Sequence, residues 1–111
     1  MECCVVLVTV SGSEEGVRIA RTLIEERLAA CVNLLDGVRS VYRWEGEVGD
    51  EMECLLVIKT RSELMPDLRE RILALHSYEV PEIIGLPITD GNPGYLAWVF
   101  AETSAPKMSA T

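Results

Sequence analysis

Positive charge is scarce in this chain: 10 Lys and Arg stand against 18 Asp and Glu, a formal net charge of −8. A surface of that sign repels phosphate backbones and anionic lipid, so nucleic acid and membranes are not expected partners, whereas a neutral or cationic ligand suits it. There is a single histidine, His76. A metal ion needs three or four donors, so His76 would need carboxylates, a cysteine or a second chain to complete a site. No run of about 18 apolar residues exists to span a membrane. The start, Met1-Glu2-Cys3-Cys4, lacks the basic region of a secretion signal, and the chain is therefore expected in the cytoplasm. The four cysteines, Cys3, Cys4, Cys31 and Cys54, contain no C-x-x-C pair and no zinc spacing. They are expected to be reduced, with Cys31 and Cys54 buried in strands and one of the adjacent Cys3 and Cys4 exposed. Gly-rich phosphate fingerprints are missing, and no nucleophile can be paired with a base.

Hydrophobic residues are plentiful, at 49% of 111 residues, enough for one domain with one core. Val38 to Thr60, VRSVYRWEGEVGDEMECLLVIKT, organises the rest. Its first arm alternates Val38, Ser40, Tyr42 and Trp44 against Arg39, Val41 and Arg43, and its second carries the apolar block Cys54 to Ile58. The glycines and acids of Glu45 to Glu51 predict the turn between them. With the arms extended back to Cys31 and on to Thr60, each is roughly 33 Å or longer at about 3.3 Å per residue. The flanking helices reach only roughly 22 Å. A hairpin that overhangs its own domain, carrying Tyr42 and Trp44 and unpaired backbone edges, is a template for another chain. Self-association is expected on this ground.

The remaining elements fall in order. Cys4 to Val8 is a continuous apolar run, the mark of a central strand. Ser11 or Ser13 offers a cap to a helix reaching about Ala30, with Val17, Ala20, Leu23, Ile24 and Leu28 facing inward. Cys31 to Leu35 opens the hairpin, Asp36-Gly37 bends it, and Ser62 to Leu75 is a second helix with Leu64, Leu68, Ile72 and Leu75 on one stripe. Glu82 to Ile88, bracketed by Pro81 and Pro87, reads as an edge strand. Asn92-Pro93 caps a third helix to about Glu102, with Trp98 on its flank. The order βαββαβ predicts an α+β, ferredoxin-like two-layer sandwich with a long central hairpin and an extra C-terminal helix. Residues 1–102 form the domain and 103–111 a flexible tail.

Ala29 to Asn33, Tyr42 to Gly46, Leu56 to Thr60, His76 to Ile83, and Gly91-Asn92-Pro93 with Tyr95 to Trp98 resemble, in order and spacing, the CutA divalent-cation-tolerance family. The resemblance covers nearly the whole chain. It implies a nonenzymatic homotrimer, built like PII signalling proteins, whose hairpins pair between subunits. The implied role is divalent metal (copper) tolerance and response, by binding a metal ion or small ligand and signalling to a protein partner. No cofactor is required, and Cu(II) or another divalent cation is the expected ion. The copper ligands proposed for some members are a cysteine late in the first strand and two adjacent histidines ending the second helix, and those positions hold Val8, Leu75 and His76 here. His76 is thus the candidate metal ligand, with Glu79 and Glu82 as carboxylate partners. Tyr42, Trp44, Lys59, Tyr78 and Trp98 are candidates for a ligand cleft or a trimer interface. The acidic tip, Glu45, Glu47, Asp50, Glu51 and Glu53, could attract hard cations. The alternatives are a structural trimeric interaction module and a small hydrolase on the same fold.

Overall fold

A computed structural model describes residues 2–104. β1 (Cys3–Val10) leads into α1 (Ser13–Glu25), and β2 (Cys31–Trp44) and β3 (Glu47–Arg61) form the hairpin. A 3-10 turn at Ser62–Leu64 runs into α2 (Met65–Leu75), followed by β4 (Ile83–Pro87) and α3 (Pro93–Ala101). The strands form one sheet in the order β2-β3-β1-β4, with every adjacent pair antiparallel. β1 is central, as its apolar run predicts. β1 and β2 run parallel to each other with β3 between them, which is the split βαβ arrangement.

Alternation decides what each strand buries. Cys4, Val6, Val8 and Val10 of β1 and Cys54, Leu56 and Ile58 of β3 form the sheet's inner face, joined by Ile19 and Leu23 of α1 and Leu68 and Ile72 of α2. Gly16 lets α1 settle closely, since a Cβ there would lie 3.1–3.3 Å from Leu34, Leu56 and Val10. The buried face of α1 is Glu15, Gly16, Ile19, Ala20 and Leu23. Val17 and Ile24, expected inward, are 44% and 40% exposed, because the helix is rotated to put Ile19 and Glu15 against the sheet. It also ends sooner than expected, at Glu25, and Arg27 turns the chain with φ 60°.

Among the described residues, the opposite face of the sheet has no helical layer of comparable extent. Val5 and Leu7 of β1 and Leu55 and Val57 of β3 are only partly buried there. Leu35, Ile84 and Leu86 are 46–47% exposed. An antiparallel sheet with one solvated face normally presents polar residues on it. This one presents leucine, isoleucine and valine.

Beyond the Val10–Cys54 pair β1 ends, and only β2 accompanies the rest of β3, Glu47 to Glu53. That arm is roughly 23 Å long at about 3.3 Å per residue. Its turn is tighter than expected. Glu45 (φ 50°) and Gly46 (φ 82°) alone make it, the two left-handed residues of a hairpin loop whose twist matches the strands. Gly49, expected in the turn, lies within β3 opposite Tyr42, whose ring covers it and leaves no room for a Cβ. The bend at Asp36-Gly37 is a register shift between Leu35 and Val38, with Gly37 at φ 71°.

The C-terminal end of the domain is tied down further than expected. Arg61 is buried, donates from Nε to Thr103 Oγ1 at 2.9 Å and from Nη2 to the carbonyls of Phe100 and Thr103 at 2.6 Å each, and stacks on the Phe100 ring at 3.8 Å. Thr103 is 3% exposed, and Ser104 N–H donates to Arg27 O at 3.0 Å. The predicted flexible tail therefore does not include Thr103 or Ser104, and its remaining residues, 105–111, lie outside the described residues.

Candidate functional site

The site is built on a carboxylate that charge patterning alone would leave on the surface. Glu15, in the first turn of α1, is 6% exposed. Ser11 donates to its Oε1 from the hydroxyl at 2.6 Å and from the backbone N–H at 3.2 Å. Ser77, just past α2, donates to Oε2 from its N–H at 2.8 Å and to Oε1 from its hydroxyl at 3.0 Å. Burial acts to raise the Glu15 pKa, but these donors, led by the Ser11 hydroxyl, outweigh it and hold the carboxyl at about 2. Ser11, one of the two serines expected at the helix cap, is thus spent on Glu15, and Ser13 is the first residue of the helix: Gly12 is the N-cap and makes no side-chain cap bond.

His76 follows from that anchor. Its side chain has no exposed surface. The ring accepts at Nδ1 from Tyr78 N–H, 3.0 Å away, and its Nε2 lies 2.8 Å from Thr9 O. An amide N–H can only donate and a carbonyl can only accept, so the proton sits on Nε2 and the lone pair on Nδ1 is taken. Glu15 Oε2 stands 3.7 Å from Nδ1, too far for a hydrogen bond. In this arrangement neither nitrogen is open to an ion, and a metal could reach Nδ1 only by displacing Tyr78. Among the described residues no three His, Cys, Asp or Glu side chains come together to hold an ion. His76, Glu79 and Glu82 therefore do not form the ligand set expected of them, and no metal fits the arrangement as it stands.

Above the histidine a cleft of about 650 Å³ opens between the arm and the loop that follows α2. Tyr42 and Trp44 of β2 and Tyr78 of the loop line it, together with Glu51 and Glu53 of β3 and Glu79 and Glu82. Tyr78 is fixed at both ends: its ring packs on His76 with centroids 4.7 Å apart, and its hydroxyl donates to Glu53 Oε2 at 2.6 Å. Burial, and then the Glu53 carboxylate, push the Tyr78 hydroxyl well above the usual tyrosine range. Tyr42 donates to Glu51, and that bond raises its pKa as well. Arg39 reaches the cleft but is committed to Asp50 through Nε–Oδ1 and Nη2–Oδ2 contacts of 2.9 and 2.7 Å.

Of the residues singled out in the sequence, Tyr42, Trp44, Tyr78, Glu79 and Glu82 meet in this cleft. Lys59 does not: it lies beside Asn33 on the outer face of the sheet. Trp98 packs on Tyr95 in α3, centroids 5.6 Å apart. Glu15 and Ser77 escaped sequence reasoning, for their contact spans 62 positions and no local pattern reports it. Cys54 is buried as expected, but the other cysteines are not placed as expected. Cys3, Cys4 and Cys54 are buried, and burial raises all three thiols, while Cys31 is only half-buried.

The chain is thus a ferredoxin-like sandwich with a projecting hairpin, an apolar outer sheet face and an aromatic, acid-rich cleft. Residues 4–102 match the family model described as CutA1 divalent ion tolerance protein. The divalent-cation tolerance protein CutA of Thermus thermophilus is 52% identical over 89% of this chain and 96% of its own. The chloroplastic CutA of Arabidopsis thaliana is 50% identical over 86% of this chain but 52% of its own, so the chain spans about half of that relative. Among solved structures, the divalent cation tolerance protein Cut A1 of Thermus thermophilus superposes with TM-score 0.89 at 51% identity, covering 92% of this chain and 99% of its own. CutA1 of Oryza sativa superposes with TM-score 0.91 at 49% identity, covering 94% and 95%. The chain belongs to the CutA1 divalent ion tolerance family. That family is named for tolerance of ions, not for an enzymatic reaction.

Proposed function

We propose that the protein is a nonenzymatic homotrimer of the cytoplasm that takes part in the response to divalent metals, binding a small ligand in the cleft and passing its occupancy to a protein partner in the manner of PII proteins. The observation that carries the assembly is the outer sheet face. Val5, Leu7, Leu55, Val57, Ile84 and Leu86 make it apolar, yet nothing among the described residues covers it fully. The arm carries further exposed apolar residues on the side of the ladder continuous with Cys54, namely Val41, Val48 and Met52, at 65%, 67% and 59% exposed. Faces of this kind mark association sites. The cleft supplies the second half of the reading: its floor is fixed through Glu15 and His76, and its walls come from the arm and from the loop carrying Tyr78, so a ligand would touch both parts at once. The metal role is supported by the names of the relatives and is indirect in this reading, because the cleft offers no converging ligand set. Light scattering after size exclusion tests the assembly. The expected mass is three times 12.3 kDa, and a folded monomer at micromolar concentration would overturn it.

A further inference from the structure

Building on the reading of the cleft as a ligand site, we infer that its ligand class is a small organic ammonium ion, held by aromatic faces and diffuse negative charge, and not a chelated metal. Three observations carry this. The cleft is walled by Tyr42, Trp44 and Tyr78, with Tyr42 and Trp44 leaving 40% and 48% of their surface uncovered. The faces of such rings attract cations that carry an apolar coat, Trp most strongly. A volume of about 650 Å³ suits a molecule of several heavy atoms and is far more than a bare ion needs.

The charge lining is one-sided. Glu51, Glu53, Glu79 and Glu82 border the cleft, and the cation in its lining, Arg39, is already neutralised by Asp50. Anionic ligands are excluded by that field.

A chelated metal asks for something different. It requires oxygens or nitrogens to converge on a point, and each of the nearer carboxylates, Glu51 and Glu53, already accepts a tyrosine hydroxyl. A substituted ammonium makes no such demand. Its charge is spread over its alkyl coat, so it needs ring faces and a negative surround, both of which are in place before it arrives. The tyrosine–carboxylate bonds also orient the rings, which lowers the cost of ordering them around a ligand.

The probe is choline, with its uncharged tert-butyl isostere and pivalate as matched controls, followed by the indole N–H signal of Trp44 in two-dimensional NMR of the intact protein. Trp98, in α3 and absent from the cleft lining, serves as the internal reference. Choline should move the Trp44 signal saturably and leave Trp98 in place, the isostere should bind about tenfold more weakly, and pivalate should not bind. Glu53→Gln should weaken choline several-fold at unchanged oligomer size. Equal binding of the isostere would overturn the ammonium assignment while sparing the cleft as a ligand site. No response to any probe would overturn both. A Trp44 shift produced by Cu(II) that excludes choline would replace the ammonium with a metal. The size measurement, made on the same samples, reports separately whether the assembly reading stands.

Discussion

The two halves of one hairpin meet opposite fates. Near its base, β3 lies between β1 and β2, and Cys54, Leu56 and Ile58 are fully buried beneath the helices. Past Cys54 the same ladder continues with β2 alone, and Val41, Val48 and Met52 are more than half exposed. Pairing between β2 and β3 runs through both halves; what the arm loses is its second neighbour, β1, and its burial. An isolated two-stranded ribbon is marginal in water, and the arm's own fastenings are surface contacts such as Arg39–Asp50, whose side chains are 71% and 46% exposed. Pairing therefore gives the arm its shape, while on the proposed assembly its persistence comes from cover that the described residues of one chain do not supply.

The sharpest test of this contrast replaces one apolar residue in each half. Ile58→Ala at the base removes a fully buried side chain from a packed core and should destabilise the fold by ~2–5 kcal/mol, read from urea unfolding. Met52→Ala on the arm should leave the fold's stability almost unchanged and instead shift the concentration at which the assembly dissociates. Equal losses of fold stability would mean that the arm is part of the cooperative core, and the comparison would collapse.

Sequence reasoning reads the base better than the arm's surroundings, for a physical reason. Strand alternation is local, so Cys54, Leu56 and Ile58, the central place of β1 and the overhang of the hairpin all follow from spacing. Contacts that span the chain are not local. Glu15 looks like a charge placed to complement the α1 dipole, and only the fold reveals that Ser77 reaches it. His76 looks like an available ligand until Thr9 and Tyr78 are seen to occupy its two nitrogens. The turn reads too wide from sequence because Gly49 is explained by the ring of Tyr42 across the ladder and not by backbone curvature.

Glu15 joins the two regions, since it anchors the loop whose Tyr78 grips Glu53 on β3. Its carboxyl is held at about 2 against an ordinary value of 4.5, a difference worth about 3 kcal/mol at neutral pH. The sign follows from the lowered pKa. That stabilisation is fully present above about pH 4.5, and it is lost progressively as pH falls toward 2. Glu15→Gln should therefore cost roughly 2–3 kcal/mol at neutral pH and flatten the acid limb of a stability profile between those values. Should the acid limb survive in the variant, another carboxylate governs it.

The smallest expected effect is on the arm itself. Arg39 and Asp50 form a bidentate pair diagonally across β2 and β3, and the pair lowers the Asp50 pKa. Both partners stay in contact with water, so the attraction is screened and the two side chains lose entropy in holding one geometry. A double-mutant cycle with Arg39→Gln and Asp50→Asn should give only a small coupling, as exposed pairs do, shrinking further as salt is raised. A markedly larger, salt-insensitive coupling would mean that the pair is shielded in the assembled protein. The arm would then owe part of its persistence to buried electrostatics, and the division between a packed base and a merely paired arm would have to be redrawn around Asp50.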